Sequence, residues 1–282
     1  MHHLLYRTPF VAIFAVLAAC GSGGGEDDDV RRDARLVDLE GSAITAQKAS
    51  FQTTGDAAVS GGTITLDAGF INAANDAARN GSVNIFGENV EIENGRGELS
   101  TGEEVRITYE PARSGAYAGI VDISVGGSFA GAQNGTGTYV FGFETDPTEV
   151  DARTGSLIYT GTFQAQGSMN GNTNTSAEYA GDITITADFG GDQDVDVLID
   201  GAVNGIGADL SGTFGLNGNG FAGDLTCKPS CGSGSEIDGN FYGPNAAEVG
   251  GVVAVNLELA GGNQYSGAGG FVLTNPSQPP QP

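Results

Sequence analysis

The chain has 282 residues, 48 of them Gly and none Trp, and its 35 acidic residues against 11 basic ones give a formal net charge of -24. That balance excludes nucleic acid as a partner, because phosphate contacts need Lys and Arg. Abundant Gly without a collagen period points to many turns and short strands. The two His, His2 and His3, stand at the extreme N terminus. Once a leader is removed, Ser-His-Asp and Cys-His nucleophile pairs have no base. The Gly-rich segments lack a P-loop Lys-Ser/Thr, and no cofactor is implied.

Residues 1–20 read as a lipoprotein signal peptide. Arg7 gives a weakly basic start, and residues 10–16 are an apolar run too short to span a bilayer. Leu17-Ala18-Ala19-Cys20 followed by Gly21 is similar to a bacterial lipobox, in which the Cys is acylated and becomes the mature N terminus. Acyl chains supply about 0.8 kcal/mol per buried methylene. An ordinary secretory signal with an incidental Cys20 is the alternative. Gly21 is not the Asp that retains familiar lipoproteins at the inner membrane, so the expected location is the outer membrane, lipid-anchored and surface-exposed. Residues 21–35, with Glu26-Asp27-Asp28-Asp29, read as a flexible acidic tether.

Residues 36–150 form the first folded region, expected as a smaller β-rich subdomain. Its strand candidates are 82–86, 105–109, 117–125 and 138–143, and the Ala-rich residues 71–79 suit a helical turn or two. Residues 151–275 are far more regular. Eight short runs alternate apolar with polar: 157–165, 179–189, 195–203, 208–216, 221–227, 237–241, 249–257 and 265–273. Period two gives each strand one buried face, and short turns make neighbours antiparallel. Eight such strands close into a barrel that side chains can fill.

The apolar face points inward. The polar face carries Glu178, Asp182, Asp188, Asp196, Asp200, Asp209, Asp224, Glu236, Asp238, Glu248 and Glu258, while Lys228 is the one basic residue beyond Arg153. Those acids have no counter-charges for a narrow lumen. Each apolar face also includes Gly, as a filled small barrel requires. The chain ends in the Pro-rich residues 276–282 rather than in an aromatic strand end. The fold class is therefore mainly all-β: a soluble eight-stranded antiparallel barrel behind a β-rich subdomain. Asp192, Asp194 and Asp196 imitate the start of a calcium loop, but Val197 and Val203 replace its Gly and Glu. They read as a solvated hairpin turn, and no metal site is expected.

Cys227 and Cys231 can form a disulfide outside the cytoplasm, closing a loop worth roughly 2 kcal/mol. A zinc pair is the rival, without His to complete it in a mature chain.

Between the sixth and seventh runs stands Gly-Asn-Phe-Tyr-Gly-Pro-Asn-Ala-Ala-Glu-Val-Gly-Gly, residues 239–251. Phe241 falls on the inner face and Tyr242 outward over the turn. Gly243 supplies conformational freedom, and Pro244 fixes the corner. Glu248 starts the next strand on the outer face, and Gly251 relieves crowding inside. The pattern Gly239, Phe241, Tyr242, Gly243, Pro244, Ala246, Glu248, Val249, Gly250, Gly251 resembles the signature of the β-barrel domain of transferrin-binding protein B. Residues 187–201 are similar to that family's second-to-third strand hairpin, and residues 210–227 resemble its fourth and fifth strands. The resemblance covers about residues 153–274.

It implies a lobe made of a β "handle" followed by the barrel, here a single lobe, so the first subdomain would be the handle. The first reading is thus a surface lipoprotein that binds a host or environmental protein or an iron or haem carrier, with the loops of residues 36–150 recognising the ligand and no catalysis expected. An outer-membrane translocon or transporter is a further implied partner. The alternative is a structural or adhesive envelope lipoprotein with no role in iron acquisition.

Overall fold

The computed structural model describes residues 35–52, 56–126, 135–171, 176–228 and 234–275. Cys20 with its signal peptide, the tether to residue 34, Cys231 and the tail 276–282 lie outside the described residues. The structure is mainly β, in two closed or nearly closed antiparallel sheets.

The first sheet contains β1 (Ala43–Gln52), β2 (Ala58–Leu66), β3 (Gly81–Ile85), β4 (Glu88–Ile92), β5 (Arg96–Glu98), β6 (Glu104–Tyr109), β7 (Ala118–Val125) and β8 (Gly135–Gly142). Its order is β4-β3-β2-β1-β8-β7-β6-β5. The edge strands β4 and β5 are joined by a tight turn at Asn94-Gly95, both with positive φ, over a Glu93–Arg96 bridge. The sheet therefore curls around a core of its own, with Val83, Ile85, Val105, Ile107, Val121, Ile123 and Tyr139 among its members.

β3, β6, β7 and β8 match the predicted strands within a few residues. β1, β2, β4 and β5 were not anticipated, so this handle is larger and more regular than expected. β1 hides its alternation because both its faces are covered, down to Gln47 and Lys48. The Lys48 amine and the Tyr139 hydroxyl both donate to the Asn84 carbonyl, one residue past the last β2–β3 pair, Ile64 with Val83. The Ala-rich segment keeps only one 3-10 turn, Asp76–Ala78. It is held by buried Arg79, whose guanidinium lies 5.2 and 4.9 Å from the ring centres of Phe70 and Tyr109.

A six-residue helix, α1 (Pro147–Ala152), links the two sheets. Asp146 caps it by accepting from Thr148 N at 2.8 Å, and Pro147 suits the first turn, where an N–H would have no partner.

The second sheet contains β9 (Ser156–Met169), β10 (Ser176–Asp188), β11 (Asp194–Val203), β12 (Ile206–Gly207), β13 (Asp209–Gly215), β14 (Gly220–Lys228), β15 (Ser235–Tyr242), β16 (Glu248–Leu259) and β17 (Asn263–Thr274). β12 is a two-residue return at the end of β11. The other eight correspond one to one with the eight predicted runs. Each pairs with the next, and β17 pairs with β9, so the wall closes.

Tyr159, Phe163, Tyr179, Phe189, Phe221, Phe241, Tyr265 and Phe271 are buried inside. The tyrosine hydroxyls do not stay unpaired there. Tyr159 donates to Ala246 O at 2.6 Å, Tyr179 to Ala208 O at 2.9 Å and Tyr265 to Ala165 O at 2.7 Å. Glu178, Asp182, Asp196, Asp200, Asp224 and Glu258 point outward and are exposed. A lipid-facing wall does not carry such a set. Among the described residues no helix is long and apolar enough to cross a membrane. Cys227 is buried and disulfide-bonded.

The sheets meet side by side. The outer face of β15, β16 and β17 packs on β1, β2, β7 and β8 of the handle. Between the two cores lies a third apolar cluster, including Ala49, Phe51, Ala118, Val140, Val252, Ala254 and Ala268.

Candidate functional site

The geometry of the corner at residues 239–251 follows from its place at this seam. β15 runs out at Tyr242 and β16 begins at Glu248. Gly243 sits at φ +71°, and the Tyr117 ring of the handle occupies the space a β-carbon there would need. Its amide donates to Phe143 O at 2.7 Å, and its carbonyl accepts from Thr145 Oγ1 at 2.7 Å. Asn245 and Ala246 are left-handed as well, at φ 56° and 50°. Two contacts from α1 and its flank hold them: Asn245 N donates to Glu149 Oε2 at 3.1 Å, and Arg153 donates to Asn245 O at 2.5 Å.

Phe241 is inside, with ring centres of Phe189, Phe221 and Tyr159 at 5.2, 6.1 and 6.0 Å. The Phe221 ring also fills the space beside Gly239, which has no room for a β-carbon. Gly251 is in the same position against Asp238 O and the Phe271 ring. Gly250, on the outer face, lies against Val140 and Tyr242. Pro244 is half-buried at the turn.

Two expectations about this corner are corrected. Tyr242 and Glu248 do project from the outer side of the wall, but neither reaches water: they are 1% and 2% exposed. The handle covers that side. The Tyr242 hydroxyl donates to Gln47 Oε1 at 3.2 Å, and Gln47 Nε2 donates to Asp238 Oδ1 at 3.0 Å. The Glu248 carboxylate accepts from three consecutive backbone amides of the handle, Ala116 at 2.6 Å, Tyr117 at 3.1 Å and Ala118 at 2.9 Å. Asp238 is likewise drawn into the seam rather than left in solvent.

Burial raises the Glu248 pKa above the ordinary carboxylate value, and the three amides oppose it. Burial also raises Asp238, with the Gln47 hydrogen bond opposing. The Tyr242 hydroxyl is pushed far up by complete burial.

Sequence reasoning missed the residues on the handle side. Gln47, Arg113 and Thr145 lie on β1 or in connections with no strong pattern, and Tyr117 opens the predicted strand 117–125 without a sign that it faces the barrel. Arg113 crosses the seam, donating to Asp122 Oδ2 at 2.8 Å and to Gly270 O of β17 at 2.6 Å. Beside it a polar cleft of about 260 Å³ opens between handle and barrel, lined by Glu110, Asp122, Thr138, Gln164 and Gln166 among others. Burial and the neighbouring Asp122 raise the Glu110 carboxyl.

A second, shallower groove of about 410 Å³ lies on the far wall, around Thr184, Thr186, Leu198, Ser211 and Thr226. Leu198 and nearby Ile158 are 49% and 53% exposed. Among the described residues, no group of three or more His, Cys, Asp or Glu side chains is placed to hold a metal ion.

Residues 152–271 match the family model described as the C-lobe and N-lobe β-barrels of Tf-binding protein B. Among solved structures, the chain is similar to a transferrin-binding protein B variant from Haemophilus parasuis, with 15% identity and a TM-score of 0.48 over 82% of this chain and 46% of that one. It is also similar to isotype 1 transferrin-binding protein B from serogroup B Neisseria meningitidis, with 14% identity and a TM-score of 0.44 over 82% of this chain and 44% of that one. The chain thus spans less than half the length of these structures. No curated protein matches it.

Proposed function

We propose, from a barrel of the transferrin-binding protein B type, that the chain is a binding lipoprotein of the bacterial outer membrane. In this reading Cys20 carries the lipid, the tether of residues 21–35 holds the lobe away from the membrane, and the lobe is displayed at the surface. It binds a host or environmental protein, with iron or haem carriers as the first candidates, and performs no catalytic step. An outer-membrane translocon or transporter is the partner that would deliver it or act with it. Cys227 pairs with Cys231, closing the end of β14.

The observation that supports this most is the match of residues 152–271 to the barrel family. The packed interior supports it too. A barrel filled with aromatic rings offers no lumen for a ligand, so recognition falls to loops and outer surfaces.

The test has two arms. Radiolabelled palmitate incorporation in wild type and in Cys20→Ala, with protease access on intact cells, reads the anchor and the display. Capture assays with transferrin, haemoglobin and haem then read the ligand. Lipid on Cys20, surface exposure and saturable capture of one carrier are expected. A displayed, lipidated chain that captures none of them would leave the structural or adhesive role. Absence of lipid and of surface exposure would overturn the reading.

A further inference from the structure

The seam between handle and barrel is built like a joint. Each sheet encloses its own core, and the two cores share no member. Between them the small side chains of Ala49, Ala118, Ala254 and Ala268 stand among larger ones such as Phe51, Ile120, Val140 and Val252. Small residues let two sheets approach closely but contribute little apolar area per contact.

Against that background Glu248 is exceptional. It is a barrel residue, yet its three amide donors all belong to the handle. The handle backbone is shaped around it: at Gly115 a β-carbon would occupy the position of the carboxylate itself. Consecutive amides converging on one anion make a nest, a socket that favours negative charge. The side chains beside it, Tyr117 and Tyr242, are neutral. The influences on its ionisation are burial and those amides, with no neighbouring cation among them. The socket, rather than an ion pair, holds the carboxyl group, and burial raises its pKa against the pull of the amides.

We propose that Glu248 is the latch of a detachable joint: handle and barrel fold as separate units, and the carboxylate plugged into the amides of Ala116, Tyr117 and Ala118 locks one onto the other. Withdrawing it opens the seam at the β7 end while both sheets persist. Other ties cross the seam, Arg113 to Gly270 O, Asn256 to Ala57, Tyr242 to Gln47, Gln47 to Asp238 and Gly243 to Phe143 O, and none of these gathers three amides on one acceptor. Those of Arg113 and Asn256 would act as the pivot rather than the lock.

The test is made on the full chain. Wild type and Glu248→Ala are compared by circular dichroism and residue-resolved hydrogen exchange. The joint predicts unchanged strand signal and unchanged protection of Ile123 and Ile183 within the two sheets. Exchange at Ala116, Tyr117 and Ala118 should rise about 100-fold, since one opening event exposes all three amides and each lost bond favours that opening by about a factor of five. An excess of sodium formate, a free carboxylate that fits the vacated socket, should restore much of that protection. Protection at the three amides equal to wild type would refute the latch, and loss of both sheets as one unit would refute separability. Should Glu248→Ala not accumulate, Glu248→Gln is read in the same way. Faster exchange at the three amides and at the cross-seam amide of Gly243, with both sheets unchanged, supports the joint, and a uniform rise across both sheets overturns it.

Discussion

The barrel has two kinds of wall, and comparing them explains where the handle sits. On β10 and β11 the outward rows read Asp182 beside Asp200 and Thr186 beside Asp196, in water. On β15, β16 and β17 the corresponding rows read Asp238, Val252, Gly270 and Glu236, Ala254, Ala268. Inward, both walls follow the same rule of large apolar side chains with Gly between them. The inner face therefore reports that a barrel closes, whereas the outer face reports what lies against it.

The comparison can be broken by moving charge from one wall to the other. Val252→Asp places an unpaired carboxylate in the apolar seam, and should cost about 3 kcal/mol or more or abolish the folded state. Its denaturant midpoint measures this. Glu248→Ala removes the acceptor of three handle amides, two of them buried, and should cost about 3 kcal/mol by the same measurement.

The pH dependence sharpens the picture. Burial raises the folded-state pKa of Glu248 and Asp238, so the folded chain holds those protons to higher pH than the unfolded one. The contribution of each is fully present below its unfolded pKa and is lost as pH rises through the folded value. Unfolding midpoints measured upward from the carboxylate range should fall less steeply in Glu248→Gln than in wild type. The smallest effect belongs to the open wall. Asp200→Asn should be neutral or stabilising by about 0.5 kcal/mol, because Asp200 stands directly opposite Asp182 and like charges there repel.

The barrel was legible in the sequence because its strands turn one face to a filled interior, so period two survives wherever the other face meets water. The corner was legible as a turn, through Gly243 and Pro244, but not as a junction. Alternation places Glu248 outside, and cannot say whether outside means water. The signal was nevertheless present: residues 249–255 are apolar without alternation, the mark of a strand buried on both faces. β1 carries the complementary defect, with Gln47 and Lys48 buried in mid-strand, so polar residues masked a central strand. The handle's short β5 and the Gly pair of β2 left too little pattern to read. No spacing rule connects Glu248 to the amides of Ala116–Ala118, since the bond is made with backbone from another sheet.

The account rests on the wall of β16 lying beneath the handle while that of β14 lies in water. Single cysteines at Ala254 and Ala222, introduced separately into a full chain with Cys20 replaced by Ser, test this directly through their rates of alkylation under native conditions. Ala254 is fully buried and Ala222 is exposed, and both project outward from the barrel. A thiol at position 222 should react as freely as in a peptide, and one at 254 should be protected until the chain unfolds. Equal, rapid reaction at both positions would contradict the account.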